Sequence, residues 1–296
     1  MLYAITLAAP PDAVFLPVSM VVHALSPLGA RMVDQYVLSD KAIDVIVEAP
    51  PDRVPGFRTA LRAALQHFPL DVCVQPLAGR RRKLLIADMD STIIGCECLD
   101  EMADFAGVKD EVAAITERAM RGELQFEAAL RERVRMIAGL PMADLERCYD
   151  ERVRLNPGAR TLVRTMAADG ARCVLVSGGF TFFAAKVAAE AGFEAARANW
   201  LKEEDGRLTG EVGEPILGRE AKLQALNEET AALGLTAVDA IAVGDGANDL
   251  AMIEAAGLGV AYRAKPIVAE QADARVDHCD LTALLYFQGY RDEDFA

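Results

Sequence analysis

Leu84-Leu85-Ile86-Ala87-Asp88-Met89-Asp90-Ser91-Thr92 carries four apolar residues straight into two aspartates and two hydroxyls. A short continuous apolar run closed by polar residues is the pattern of a strand buried on both faces of a parallel sheet. Two later stretches repeat it: Val174-Leu175-Val176 enters Ser177-Gly178-Gly179, and Ile241-Ala242-Val243 enters Gly244-Asp245-Gly246-Ala247-Asn248-Asp249. Segments of helical character separate the three runs. This predicts an α/β fold with a Rossmann-like parallel sheet core. Such sheets bind ligands beyond the carboxyl ends of their strands, so three polar strand ends predict one shared crevice.

In an extended chain residues i and i+2 point the same way, so Asp88 and Asp90 can face one site. Two carboxylates that close repel each other unless a cation lies between them or one is protonated. Hard oxygen ligands in small number suit Mg²⁺. A carboxylate can also attack phosphorus and form an aspartyl-phosphate. An isolated Asp-x-Asp is common in loops, but here it is joined by other elements. Ser177-Gly178-Gly179 offers a hydroxyl and open backbone N–H groups at a predicted strand-to-helix turn, a suitable phosphate cradle. Gly244–Asp249 places further carboxylates at a third strand end, and Lys222 offers a fixed positive charge.

Taken together, Asp88-Met89-Asp90-Ser91-Thr92, Ser177-Gly178-Gly179, Lys222 and the run from Gly244 to Asp249 resemble the four motifs of the haloacid-dehalogenase superfamily of phosphatases. The resemblance covers about residues 83–286 and implies roles residue by residue. Asp88 is the implied nucleophile, and Asp90 the acid that protonates the leaving alkoxide and then the base that activates water. Mg²⁺ is the implied cofactor, held by the Asp88 carboxylate, the Asp90 main-chain carbonyl and Asp245, with Asp249 supporting it from behind. Ser177, the Gly178 backbone and Lys222 would hold the phosphoryl oxygens, with Asn248 beside them.

Between the first two strands, residues 97–155 show helical spacing and no strand-like run, which predicts a helical cap inserted over the strand ends. Asn156-Pro157-Gly158 marks the return to the core, and Asp205-Gly206 a hairpin. Within the superfamily the cap resembles that of the phosphoserine phosphatase family. That resemblance gives Glu97 the substrate ammonium, Arg133 the substrate carboxylate, and Met120 and Phe126 the pocket walls. The implied substrate is O-phospho-L-serine, hydrolysed in the last step of serine synthesis. On spacing alone Glu97 is equally a helix-terminal surface acid, Arg133 a solvated helix charge, Met120 and Phe126 core, and Lys222 a surface lysine. Two other readings stand beside this one. The first is a phosphatase or phosphotransferase acting on another small amino-acid or amine phosphate. The second is a non-catalytic amino-acid-sensing regulator, against which the intact Asp88, Asp90, Lys222 and Asp245 argue.

Residues 1–78 read as βαββαβ, a small α+β domain similar in element order to ACT-type regulatory or dimerisation domains. Phe57, Leu61 and Leu65 mark one face of its second helix. Gly79-Arg80-Arg81-Arg82-Lys83 reads as a solvated linker, residues 84–96 and 156–296 as the core, and 97–155 as the cap. A homodimer through the N-terminal domain is the expected assembly, if any. The net charge of -14 argues against nucleic acid as a partner, and no apolar run is long enough to span a bilayer. With no basic signal-type start, the expected location is cytoplasmic. The six cysteines are scattered, and Cys96-Glu97-Cys98 does not have a zinc spacing.

Overall fold

The computed structural model describes residues 1–11, 17–120 and 123–296, without the side chains of residues 119 and 120. The N-terminal part runs β1 (Leu2–Ala8), α1 (Val18–Leu25), β2 (Arg31–Val37), β3 (Ala42–Glu48), α2 (Pro55–Leu65) and β4 (Asp71–Pro76), the expected order. Its strands form an antiparallel sheet in the order β2-β3-β1-β4. Phe57, Leu61 and Leu65 of α2 are buried in one apolar cluster with Ile5, Val45 and Val74 of the sheet.

The larger part begins with β5 (Leu84–Ala87) and continues through β6 (Arg172–Phe180), β7 (Ala195–Asn199), a hairpin of β8 (Leu201–Glu204) and β9 (Arg207–Val212), then β10 (Ala240–Gly244), β11 (Leu258–Tyr262) and β12 (Ala274–Val276). Six of these strands make one parallel sheet in the order β12-β11-β10-β5-β6-β7. Leu84 and Ile86 pack with Val174 and Ala242 on one face, while Leu85 and Ala87 pack with Leu175 and Val243 on the other. Burial on both faces is why these strands are continuously apolar. Because β10, β5 and β6 are neighbours, their three polar ends lie side by side. β6 runs on through Ser177-Gly178-Gly179 to Phe180, so this segment ends a strand and does not form the predicted turn. Its pairing with β7 shifts register between Val176 and Phe180; the bulge lifts the serine and glycines out of the ladder.

Four helices, α3 (Cys98–Phe105), α4 (Lys109–Met120), α5 (Phe126–Met136) and α6 (Met142–Arg152), fill the chain between β5 and α7 (Ala159–Ala168), the stretch that the sequence reading takes as a cap. The remaining helices are α8 (Thr181–Ala191), α9 (Arg219–Ala232), α10 (Leu250–Ala255), α11 (Pro266–Gln271) and α12 (Ala283–Phe287). Asn156 pins the return from the cap, its Nδ2 donating to the carbonyls of Thr92 at 2.8 Å and Ile94 at 3.1 Å. The β8–β9 hairpin turns at Asp205 and Gly206, both with positive φ (50° and 73°), as a twisted two-residue turn requires. It braces the cap, since Gly139 N–H donates to Leu208 O at 2.8 Å and Leu208 N–H to Leu140 O at 3.0 Å.

The basic stretch after β4 is not the solvated linker that its composition suggests. Arg82 is buried and donates to the carbonyls of Gly79, Val238 and Gly257 and to Gln75 Oε1, at 2.9 to 3.1 Å. Arg80 pairs at 2.6 Å with Asp44, whose side chain is fully buried. Asp71 of β4 accepts the backbone N–H groups of Asp277, His278 and Cys279. Buried polar groups must find partners, and here those partners lie across the junction. The arginines act as clamps between the two parts.

Candidate active site

β5 ends at Ala87, but Asp88 N–H still donates to Val243 O at 3.0 Å, so the ladder fixes the backbone of Asp88. The chain then coils tightly. Asp90 is extended (φ -65°, ψ 136°) and Ser91 has φ 56°. Ile94 N–H returns to Met89 O. Asp88 and Asp90 both line one cavity beyond this turn. Asp90 is held from two sides: Cys98 N–H donates to Oδ1 at 2.9 Å and Ser177 Oγ to Oδ2 at 3.2 Å. A Cβ on Gly179 would lie 2.7 Å from Asp90 Oδ2 and 3.2 Å from Met89. The glycine after the cradle therefore permits the approach of β5 and β6 at this point.

Lys222 projects from α9 into the base of the site, where it is almost fully buried. Its Nζ lies 2.6 Å from Asp88 Oδ1 and 2.5 Å from Asp249 Oδ1. The second oxygen of Asp249 accepts Gly246 N–H at 3.0 Å. Asp249 thus spends both oxygens on holding the lysine and the loop. Burial works against the Lys222 ammonium, but the charges of Asp249 and Asp88 outweigh it, and its pKa is raised. Burial pushes the Asp88 carboxyl well up, as does the charge of Asp249, with Lys222 opposing. Burial and then the charge of Glu97 raise Asp90 to about 6. Asp245 is raised to about 6 by burial, with Asp249 and Glu97 adding to it.

Asp88, Asp245 and Asp249 bring carboxylate oxygens within 4.8 Å of one another. Three carboxylates around one ammonium leave an excess of negative charge in a buried setting. That excess, and an all-oxygen donor set, fit a divalent cation. Thr92 Oγ1 donates to Asp245 Oδ1 at 3.3 Å and steadies it from the β5 side.

Above this base, between the core and the cap helices, lies a cavity of about 340 Å³. Asp88, Asp90, Ser177, Gly178, Asp245 and Asn248 line it from the core, and Glu97, Phe126 and Arg133 from the cap. Lys222 and Asp249 are not part of the lining and act from behind Asp88. Glu97 accepts a hydrogen bond from Ser91 Oγ at 2.6 Å. Among the described residues, the hydrogen bonds of the Arg133 side chain are long, to Ala129 O at 3.3 Å and Thr116 Oγ1 at 3.4 Å. Burial lowers its pKa, opposed by Asp100 and Glu97; a guanidinium remains charged regardless. Phe126 lies in van der Waals range of the Gly178 and Gly218 positions, 3.5 Å from a Cβ built on either. The side chain of Met120 lies outside the described residues.

The cavity also includes Thr116, Leu124 and Lys265, which the sequence reading did not single out. Lys265 follows β11, whose run Leu258-Gly259-Val260-Ala261-Tyr262 has the same apolar-then-polar form as the other three strands. That signal was available. Nothing in the spacing of Thr116 or Leu124 marks them.

Residues 85–254 match the family model described as haloacid dehalogenase-like hydrolase. A phosphoserine phosphatase of a Polaromonas species is 49% identical over 69% of this chain and 88% of its own. Among solved structures, a haloacid-dehalogenase family hydrolase of Salmonella enterica serovar Typhi superposes with a TM-score of 0.83 at 29% identity, covering 96% of this chain and 98% of that one. A structure described as a phospho-aspartyl intermediate analogue of phosphoserine phosphatase gives 0.65 at 39% identity, over 70% of this chain and 98% of that one. The chain belongs to the haloacid dehalogenase-like hydrolases. Within that family, phosphoserine phosphatases are the relatives it resembles over most of its length.

Proposed function

We propose that this chain hydrolyses O-phospho-L-serine to L-serine and phosphate. The observation that carries the substrate assignment is that Glu97 and Arg133 line the same cavity as Asp88 and Asp90. One end of the pocket is built for phosphoryl transfer, and the other offers an anion and a cation for a zwitterion. Arg133 has no carboxylate partner among the described residues. A partly buried guanidinium whose contacts with the described residues are long is suited to a bidentate carboxylate ligand.

In the first step an Asp88 oxygen attacks phosphorus, the bond from phosphorus to the serine oxygen breaks, and Asp90 gives its proton to the departing alkoxide. In the second, water attacks the aspartyl-phosphate, Asp90 takes the water proton, and the Asp88 carboxylate leaves. A carboxyl raised to about 6 can serve as both acid and base near neutral pH. Lys222 orients Asp88 and opposes the charge that builds on the phosphoryl group. Ser177 Oγ and the Gly178 N–H would hold phosphoryl oxygens, with Asn248 beside them, and all three residues line the cavity. Mg²⁺ would be held by the Asp88 carboxylate, the Asp90 carbonyl and Asp245, and supplies charge neutralisation to phosphoryl transfer when bound. Asp249 supports this set by fixing Lys222 and the Gly246 loop.

We also read residues 1–78 as an ACT-like regulatory or dimerisation domain, 79–83 as its connection, 84–96 and 156–296 as the catalytic core, and 97–155 as the cap. Antiparallel sheet order and helix placement support the first assignment. Residues 1–78 could mediate a homodimer, and the expected compartment is the cytoplasm; no described helix is long and apolar enough to cross a membrane.

Phosphate release from L-phosphoserine and from phosphoethanolamine, each with and without Mg²⁺, tests the reading. Metal-dependent turnover that prefers phosphoserine by several hundred-fold supports it. Equal rates on both would keep the Asp88 chemistry and reject the substrate.

A further inference from the structure

Cys96-Glu97-Cys98 lies at the entrance to the cap, and the proposed reaction uses only its middle side chain and one backbone N–H. Glu97 is extended, with φ -98° and ψ 108°. An extended residue sends its own side chain one way and its neighbours' the other. Glu97 accordingly faces the cavity, while Cys96 and Cys98 turn together toward the apolar cluster behind it. At about 3.3 Å of rise per residue, their Cα atoms are about 6.6 Å apart, inside the roughly 4.4–6.8 Å span of disulfides. Cys98 is buried and Cys96 partly exposed, and both pack with the same apolar cluster. Both touch the catalytic turn through their backbones. Cys98 N–H holds Asp90 Oδ1 at 2.9 Å, and Cys96 O accepts Ser91 N–H at 3.2 Å.

We propose that Cys96 and Cys98 form a peroxide-oxidisable dithiol, and that closing the bond between them misplaces Asp90 and switches the enzyme off. The oxidant is hydrogen peroxide. The Cys96 thiolate attacks the peroxide; a sulfur–oxygen bond forms, the oxygen–oxygen bond breaks, and water leaves after taking up a proton. The Cys98 sulfur then attacks Cys96; the sulfur–sulfur bond forms, the sulfur–oxygen bond breaks, and the Cys98 proton departs with a second water. Two thiols lose two electrons and the peroxide gains them. Drawing the two side chains together twists the Glu97 peptides, which moves the Cys98 N–H off Asp90 and turns the Glu97 carboxylate. A thiol reductant reverses the step. The effect on turnover rests on the phosphatase reading, but formation of the bond does not.

The test treats the full chain with hydrogen peroxide, removes the peroxide, unfolds the protein in guanidinium chloride with N-ethylmaleimide so that the buried thiols are also blocked, and reads intact mass. The untreated protein should take six labels, one per cysteine, and the oxidised protein four, with peptide mapping placing the bond between Cys96 and Cys98. Phosphoserine turnover should fall at least about tenfold and recover with dithiothreitol. Cys96→Ala should keep its basal activity and all of its labels but Cys96's own, and should lose the reversible inactivation. Cys148→Ala, on a neighbouring cap helix, should still respond. Six labels after oxidation, or a bond mapped to Cys148, would overturn the site. A Cys96–Cys98 bond that leaves turnover unchanged would overturn the switch. In a protein inactive on every phosphate ester tested, label count alone still decides whether the bond forms.

Discussion

Replacing Arg133 by Met keeps most of the volume and apolar stem of the side chain and removes its charge. Among the described residues the guanidinium makes two long hydrogen bonds, to Ala129 O and Thr116 Oγ1, so the unliganded protein loses little. With substrate bound, the variant leaves the serine carboxylate desolvated in the cavity with no cation facing it. Hydrogen bonds to charged groups contribute about 1.5–3 kcal/mol, and stranding one partner of a buried charge pair costs about 2–5 kcal/mol. The expected loss is therefore about 2–4 kcal/mol. At about 1.4 kcal/mol per factor of ten this is about 30- to 700-fold in kcat/KM for phosphoserine. Phosphoethanolamine has no carboxylate and should lose less than about threefold. Steady-state phosphate release with both substrates on both proteins gives the coupling directly. A drop of equal size on the two substrates would mean that Arg133 supports the cap and does not read the carboxylate, and no drop on phosphoserine would remove it from the site.

Asp88→Asn should abolish turnover while the protein still folds, checked by phosphate release and circular dichroism. Asp90→Asn should cost about 10²–10⁴-fold in kcat, the usual contribution of a general acid–base group. The raised Asp90 pKa also predicts a stability effect in metal-free protein. Its folded value of about 6 lies above the ordinary 3.8, so the folded state binds the proton more tightly, and its stabilising contribution is lost as pH rises from about 4 to about 6. Metal-free Asp90→Asn should therefore be the more stable protein at pH 7, by on the order of 1–3 kcal/mol, and lose that advantage near pH 4 in urea titrations. Arg82→Ala should strand buried carbonyls at the junction and cost about 3–5 kcal/mol; a denaturation midpoint like that of the parent would contradict the clamp.

The sequence alone determined the parallel core, because a strand buried on both faces must be apolar at every position, and Leu84–Ala87, the 174–176 run and the 241–243 run are. β7 escaped that logic as an edge strand with a mixed sequence, and β12 is only three residues long. The chemistry was legible in Asp88, Asp90 and the glycine-flanked strand ends, since local backbone geometry fixes where those side chains point. What spacing could not decide was which distant groups meet. Lys222 reads as a surface lysine until α9 delivers it between Asp88 and Asp249, 2.6 and 2.5 Å away. Thr116 reaches the pocket only because α4 packs beside α5. Arg80 and Arg82 read as solvated charge until folding puts Asp44 and four buried oxygens around them. Periodicity and turn chemistry are local, so they are written in the chain; the burial and pairing of a charge depend on residues tens to hundreds of positions away, and only the tertiary structure brings these together.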